Sequence, residues 1–274
     1  MAAVSSSLTP IQSLKAIRAL IADGISGERF GQTLRRKKIP HLSFSQVAAV
    51  ELCHQRYYLN YVKEVKLKPG PNYFIKGKLM HQFIASSYKR IANERKVSPS
   101  TYLTAIHRVY RNEHRIHLEN AVQVHLSNIW QDHEILGVEQ PFVFMVDRKL
   151  PPLVGVIDLL LRKDNRVIIV DHKTGIDFYR PDRLQMAIYH RFASQKFPGK
   201  EIDIYYDQYR WVNNLQRIRK PSIQRTRIHL PDSSWETALA KIHSGYKVMK
   251  DIREKDYGKR DGECFRCPFR KHCW

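Results

Sequence analysis

The chain has 274 residues, enough for one large domain or two small ones, and its 43% hydrophobic and 27% charged content reads as globular and soluble. No run approaches the roughly 20 apolar residues of a membrane span. The formal net charge of +21 implies a polyanionic partner and, without amphipathic basic-plus-aromatic segments, favours nucleic acid over membrane.

The opening, Met1-Ala-Ala-Val-Ser-Ser-Ser-Leu8, lacks the basic-then-apolar order of a secretory signal, and Asp23 and Glu28 argue against a transit peptide. A cytoplasmic protein, prokaryotic or encoded by a virus and made in its host's cytoplasm, is expected. Four cysteines, three of them in the last eleven residues, do not form a disulfide framework in a chain this long.

Residues 10–23 place Ile11, Leu14, Ile17, Leu20 and Ile21 at helical spacing and predict a packing helix. The run Arg35-Arg36-Lys37-Lys38 reads as a solvated linker or a phosphate contact. Ser43-Phe-Ser45 offers a hydroxyl cap for a helix that carries Cys53 and continues to Tyr61. After Pro69-Gly-Pro71, a second helix opens at Lys76 and carries His81, with Gly77 one turn earlier to allow close backbone approach. A lone histidine on such a helix is ordinarily a core residue unless the fold brings it to a charged site.

Residues 99–136 read as helical and rich in histidine, without the supporting acid of a zinc-protease motif, so no metal role is assigned there. Val138–Met145 predicts a strand whose Glu139 either points to an acidic site or caps a strand edge. Next come two β-branched and Leu-rich runs around Asp164-Asn165, a pair suited to the positive φ angles of a two-residue hairpin turn. Folding on that turn pairs residues whose numbers sum to 329. Asp158 then faces Asp171, and the period of two puts Lys173 on their face and His172 on the other. Facing carboxylates among apolar neighbours call for a compensating charge, and Mg²⁺ or a similar divalent cation is the natural candidate.

Pro181 sits where the first turn of a helix tolerates it, and that helix places Gln185 and Tyr189 on one face at i and i+4. Ile202–Val212 reads as an aromatic strand, followed by the basic loop Arg217-Ile-Arg-Lys220 and a strand near 225–230. Ser233 or Ser234 caps a last long helix running to about Lys255. The chain ends with Cys264, Cys267 and Cys273, and Cys53 is the remaining thiol; that spacing fits tetrahedral zinc or a four-thiolate iron–sulfur cluster, zinc being the default on physical grounds.

Ser43…Cys53, Gly77…His81, Gly155-Val-Ile-Asp158, Asp171-His-Lys173, Gln185…Tyr189 and Cys-x2-Cys-x5-Cys occur here in the order seen in RecB-type nucleases. The set resembles the iron–sulfur branch of the PD-(D/E)XK superfamily, which includes CRISPR-associated RecB-like exonucleases and the AddB nuclease domain. The likeness spans about Ser43 to Cys273. It implies an α/β, restriction-endonuclease-like core, a central mixed sheet flanked by helices, with an iron–sulfur-stapled helical and C-terminal cap. Residues 1–40 would be a helical extension and 41–274 the nuclease domain.

The resemblance further implies Asp158, Asp171 and Lys173 as catalytic residues, and His81, Asp158, Asp171 and the His172 carbonyl around Mg²⁺ or Mn²⁺. Gln185 and Tyr189 would contact the substrate, and Cys53, Cys264, Cys267 and Cys273 would hold a 4Fe–4S cluster. The expected activity is a metal-dependent DNA exonuclease preferring single strands or frayed ends. An endonuclease or flap nuclease with the same residues is the alternative, and so is a non-catalytic nucleic-acid-binding module with a structural zinc site.

Overall fold

The computed structural model describes residues 8–67, 72–95, 97, 100, 102–104, 113–175, 178–210, 221–252, 264 and 267–273. Its elements, in chain order, begin with α1 (Pro10–Ala22), α2 (Gly27–Arg36), β1 (Leu42–Ser43), α3 (Phe44–Leu52), α4 (His54–Tyr57) and a π-helix (Tyr58–Val62). Next are α5 (Asn72–Ala92), α6 (Glu113–Leu126), β2 (Glu134–Phe144), β3 (Leu153–Lys163) and β4 (Arg166–Gly175). The last are α7 (Arg183–Lys196), β5 (Glu201–Arg210), β6 (Ser222–Arg227), α8 (Ser234–Asp251) and α9 (Arg270–Cys273). Two compact units emerge: Met1–Gly70 with Pro141–Val156 and Pro231–Trp274, and Pro71–Gln140 with Ile157–Leu230. Among the described residues no helix is long and apolar enough to cross a membrane.

In the first unit, α1 starts on a capping box: the Thr9 hydroxyl accepts from the Gln12 amide at 3.3 Å and Gln12 Oε1 from the Thr9 amide at 2.9 Å. Helix α2 was not anticipated, although its charged face opposite the buried Phe30 and Leu34 makes it strongly amphipathic. At i and i+4 these two pack with Ile17, Ile39, Val143 and Val154. Ser43 caps α3 as expected, accepting from the Gln46 amide at 3.3 Å. The helix does not continue to Tyr61. Cys53 takes an extended conformation, φ −166° and ψ 122°, that ends α3 and starts α4.

Gly155, on β3, has a packing reason to lack a side chain: a Cβ there would lie 2.4 Å from Cζ of Phe142, a buried β2 residue. Ser233 occupies the N-cap of α8 but its side chain makes no capping bond. Residues 253–263, and with them the predicted end of that helix, lie outside the described residues.

The expected 4Fe–4S site does not assemble. Cys53, Cys264, Cys267 and Cys273 are half-buried thiols outside any disulfide, and among the described residues no three potential ligands are gathered to hold a metal. Cys53 ends α3, Cys273 lies on the short α9, and the Cys267 amide donates to the Cys264 carbonyl at 3.2 Å. Among the described residues the four thiols form no cluster, and the iron–sulfur-stapled cap is not supported.

The second unit carries a mixed sheet. β3 and β4 pair antiparallel with Leu159↔Val170, Leu160↔Ile169 and so on to Lys163↔Arg166, the register summing to 329. At the turn only Asp164 has positive φ, 51°, so Asn165 does not share the conformation anticipated for the pair. β4 and β5 pair parallel over ten positions, from Arg166↔Glu201 to Gly175↔Arg210, and α7 supplies the crossover that parallel pairing requires. β6 closes the edge antiparallel to β5.

Alternation sends Leu159, Leu161, Ile168, Val170 and Tyr209 to one face, against Met80, Ile84 and Tyr88 of α5 and Ala121 of α6. Burying each such Leu, Ile or Val contributes about 1.5–3 kcal/mol. The helix predicted over 99–136 ends at Leu126, and 134–136 already belong to β2; residues 105–112 are not described. Pro181 precedes the helix: Asp182 is the N-cap of α7, accepting from the Leu184 and Gln185 amides. β5 spans 201–210 and β6 spans 222–227, the latter starting three residues earlier than read; residues 211–220, with the basic loop 217–220, lie outside the described residues.

Candidate active site

The hairpin β3–β4 projects Asp158 and Asp171 beside each other at the end of its paired ladder. The His172 backbone amide donates to Asp158 Oδ2 at 2.8 Å, which fixes that carboxylate. Lys173 Nζ lies 2.8 Å from Asp171 Oδ2, a charge-assisted contact in which the ammonium faces the buried carboxylate. Asp171 is 1% exposed at its side chain and Lys173 38%, so the ammonium reaches outward from a buried partner. Lys173 Nζ also stands 5.9 Å from the Tyr206 ring centroid.

Helix α5 brings His81 to this pair, with Nδ1 3.9 Å from Asp158 Oδ2. A Cβ on Gly77 would stand 3.4 Å from Thr174 Oγ1, a close but ordinary contact between α5 and β4. Helix α7 brings Gln185: its Nε2 donates to Asp171 Oδ1 at 3.3 Å and to the Tyr189 hydroxyl at 2.8 Å, and Lys173 Nζ lies 3.5 Å from its Oε1. Tyr189 is only 5% exposed, so it supports the site from within. Glu139 has φ +47° inside β2, and its carboxylate pairs with Lys89 at 3.1 Å. It adds negative potential at His81 and Asp158.

The electrostatics follow from burial. Desolvation raises both aspartates above the usual carboxylate range, partly opposed by Lys173 in each case. Burial pulls Lys173 down, but Asp171 and Asp158 outweigh it and hold the ammonium above its ordinary value. Burial and then Lys173 lower His81, leaving a neutral imidazole able to ligate. Two carboxylates facing one ammonium leave a net negative charge.

The donor set of two carboxylates, a backbone carbonyl and one neutral imidazole fits a divalent cation of the Mg²⁺ or Mn²⁺ type. No three His, Cys, Asp or Glu side chains among the described residues cage an ion by themselves, so water and substrate oxygens would complete the shell.

His172 points to the opposite face, as the period of two requires. It is 1% exposed, stacks on Tyr88 at 6.1 Å, and burial keeps it neutral, with both ring nitrogens unpartnered among the described residues. Beyond it, His125 Nε2 is 2.6 Å from Ser87 Oγ and its Nδ1 3.0 Å from the Tyr209 hydroxyl. Because Ser87 donates to the Ile84 carbonyl, its oxygen accepts from His125 Nε2–H, and Nδ1 accepts from Tyr209. Burial drives the His125 pKa to about 3.

Sequence reasoning missed Tyr206, read as ordinary strand core. Its position is set by the parallel pairing Asp171↔Tyr206, and nothing local in the sequence encodes that register.

Residues 41–274 match the sequence profile described as the PD-(D/E)XK nuclease superfamily. A comparison with curated protein sequences finds no match. Among solved structures, SSO0001 is similar at 14% identity and a TM-score of 0.46, covering 85% of each chain. A candidate exonuclease from Eubacterium rectale is similar at 12% identity and a TM-score of 0.46, covering 78% of this chain and 83% of its own.

Proposed function

The chain belongs to the PD-(D/E)XK nuclease superfamily, and from that premise we propose that it is a metal-dependent exonuclease hydrolysing DNA, with a preference for single strands or frayed ends. The observation that carries this reading is the Asp171–Lys173 pair at 2.8 Å, one strand across from an Asp158 fixed by the His172 amide. Asp158, Asp171, His81 and the His172 carbonyl would hold Mg²⁺ or Mn²⁺, which when bound supplies Lewis-acid polarisation of the phosphate and a water of lowered pKa.

The protein's own groups do the rest. The Lys173 ammonium, anchored by Asp171, faces charge that builds on the phosphoryl oxygens during attack. Gln185 holds Asp171 from the side and keeps Lys173 and the carboxylate in one geometry. Because the target is the sugar–phosphate backbone, little sequence specificity is expected. The exonuclease mode and the preference for single strands rest on the likeness of the motif set to RecB-type exonucleases. The +21 charge supports a polyanionic substrate.

The test uses 5′- and 3′-labelled linear single- and double-stranded DNA, a circular single strand and an RNA strand, each with Mg²⁺, Mn²⁺ or EDTA. Metal-dependent shortening of linear DNA from an end, with the circle intact, is expected. Cleavage of the circle would replace the exonuclease with an endonuclease, and preferred cleavage of RNA would change the substrate. Undiminished cleavage by Asp171→Ala would remove this site from the chemistry.

A further inference from the structure

Helix α2 precedes the family segment, which begins at residue 41, and its exposed face lines a cleft of about 720 Å³ in the first unit. Phe30 and Leu34 turn inward. Arg29, Gln32 and Arg36, at i, i+3 and i+7, line the cleft together with Arg35. From the segment around the π-helix come Asn60 and Lys66. The lining thus offers four cations and two amides against a single acid, Glu64, and Val65 is its one apolar side chain. Four cations against one acid suit a polyanion.

A purely structural account covers only part of it. Arg35 and Arg36 lie in the last turn of α2, where a cation offsets the partial negative charge of the helix end. Arg29 is in the first turn, where a cation opposes the dipole, and Lys66 lies outside the helix. Among the described residues none of the four cations is ion-paired to a carboxylate, and all four are exposed.

We propose that this cleft is a second, non-catalytic nucleic-acid site, in which Arg29, Arg35, Arg36 and Lys66 grip the phosphodiester backbone of a single strand. The proposal rests on the reading of this protein as a nuclease. It assigns the N-terminal extension a role in holding substrate, separate from the residues that cleave it. Arginine forks and a lysine ammonium on phosphate oxygens bind without regard to sequence, and counterion release makes such binding steeply salt-dependent.

The experiment places Arg29→Gln, Arg35→Gln, Arg36→Gln and Lys66→Gln together in the full chain carrying Asp171→Ala, so that no cleavage occurs. Fluorescence anisotropy of a labelled single-stranded oligonucleotide is read from low to high salt. A charge-matched control carries Lys15→Gln, Arg18→Gln, Lys163→Gln and Lys247→Gln, all exposed positions that do not line the cleft. The cleft variant should weaken binding by about tenfold or more and flatten the log–log salt slope by about 0.7 for each phosphate that the protein no longer neutralises. The control should change the slope much less.

Equal slopes in the two variants overturn the site. So does a cleft variant that keeps its affinity for the oligonucleotide while losing affinity for vesicles of anionic phospholipid. Two double variants, Arg29→Gln with Lys66→Gln and Arg35→Gln with Arg36→Gln, give the same readout if the quadruple variant melts early. Because the assay reads binding alone, a wild-type protein that cleaves nothing would sink the nuclease reading and still leave the cleft decided.

Discussion

The backbone amide of His172 donates to Asp158 Oδ2 at 2.8 Å, so the main chain of one strand holds the carboxylate of its neighbour. Asp158→Asn keeps an acceptor for that amide and removes the charge. Cleavage should fall by at least ~10³-fold, about 4 kcal/mol of transition-state stabilisation, with the melting temperature preserved. Binding of single-stranded DNA should persist, since the substitution removes one charge from a chain of +21, and that charge repels phosphate. Single-turnover cleavage and anisotropy on the same preparation separate the two effects.

Gln185 contacts Asp171, Tyr189 and Lys173 at once, which makes it a positioning residue as much as a substrate contact. Gln185→Ala should lower kcat by roughly 10–100-fold, the usual cost of removing a partner that orients a ligand. Tyr189→Phe should cost less, because the Gln185 amide keeps Asp171. Calorimetric titration of Mn²⁺ checks the cause: affinity should weaken in Gln185→Ala, and unchanged affinity would return Gln185 to a role on the strand alone.

The His172 ring is buried with two nitrogens unpartnered among the described residues, yet only its backbone serves the site. Replacing it by an apolar ring of similar shape removes the desolvation cost, on the order of 1 kcal/mol or more. His172→Phe should therefore melt higher than wild type and retain cleavage. A destabilised His172→Phe would mean that the ring nitrogens do find partners.

His125 is neutral in the fold because burial holds its pKa at about 3. In the unfolded chain it titrates near pH 6.5, so below that value the unfolded state binds the extra proton and stability falls with pH. The loss runs from pH 6.5 down toward about 3, at up to about 1.4 kcal/mol per pH unit from this group. Urea unfolding at pH 7, 6, 5 and 4 should show a flatter dependence for His125→Gln than for wild type, even if its stability at pH 7 is lower. Parallel pH profiles would remove His125 as the source.

Gly155 leaves room for the Phe142 ring, which an added Cβ would meet at 2.4 Å. Gly155→Ala should destabilise by about 1–3 kcal/mol, the range for overpacking a closed core. Adding Phe142→Leu should recover part of that loss. Thermal melts of the single and double variants test it, and a Gly155→Ala protein as stable as wild type would show that the ring can shift freely.

Some of this was legible in the chain itself. A two-residue turn and a side-chain period of two determined the β3–β4 register, and with it the common face of Asp158, Asp171 and Lys173. The Ser43 cap was legible for the same reason, since its partner is three residues away. Contacts set by packing between distant elements were not. His81 is an ordinary helix histidine until α5 lies on the sheet, and Tyr206 aligns with Asp171 only because α7 carries the chain over to a parallel neighbour. Helix α2 was legible and overlooked: its charged face opposite Phe30 and Leu34 makes it strongly amphipathic. At the C-terminus, cysteine spacing suggested a shared metal, but ligand spacing specifies a site only when the backbone brings every thiol to one point, and these four are not gathered. Local periodicity decides which side chains share a face, and the folded packing decides what that face meets.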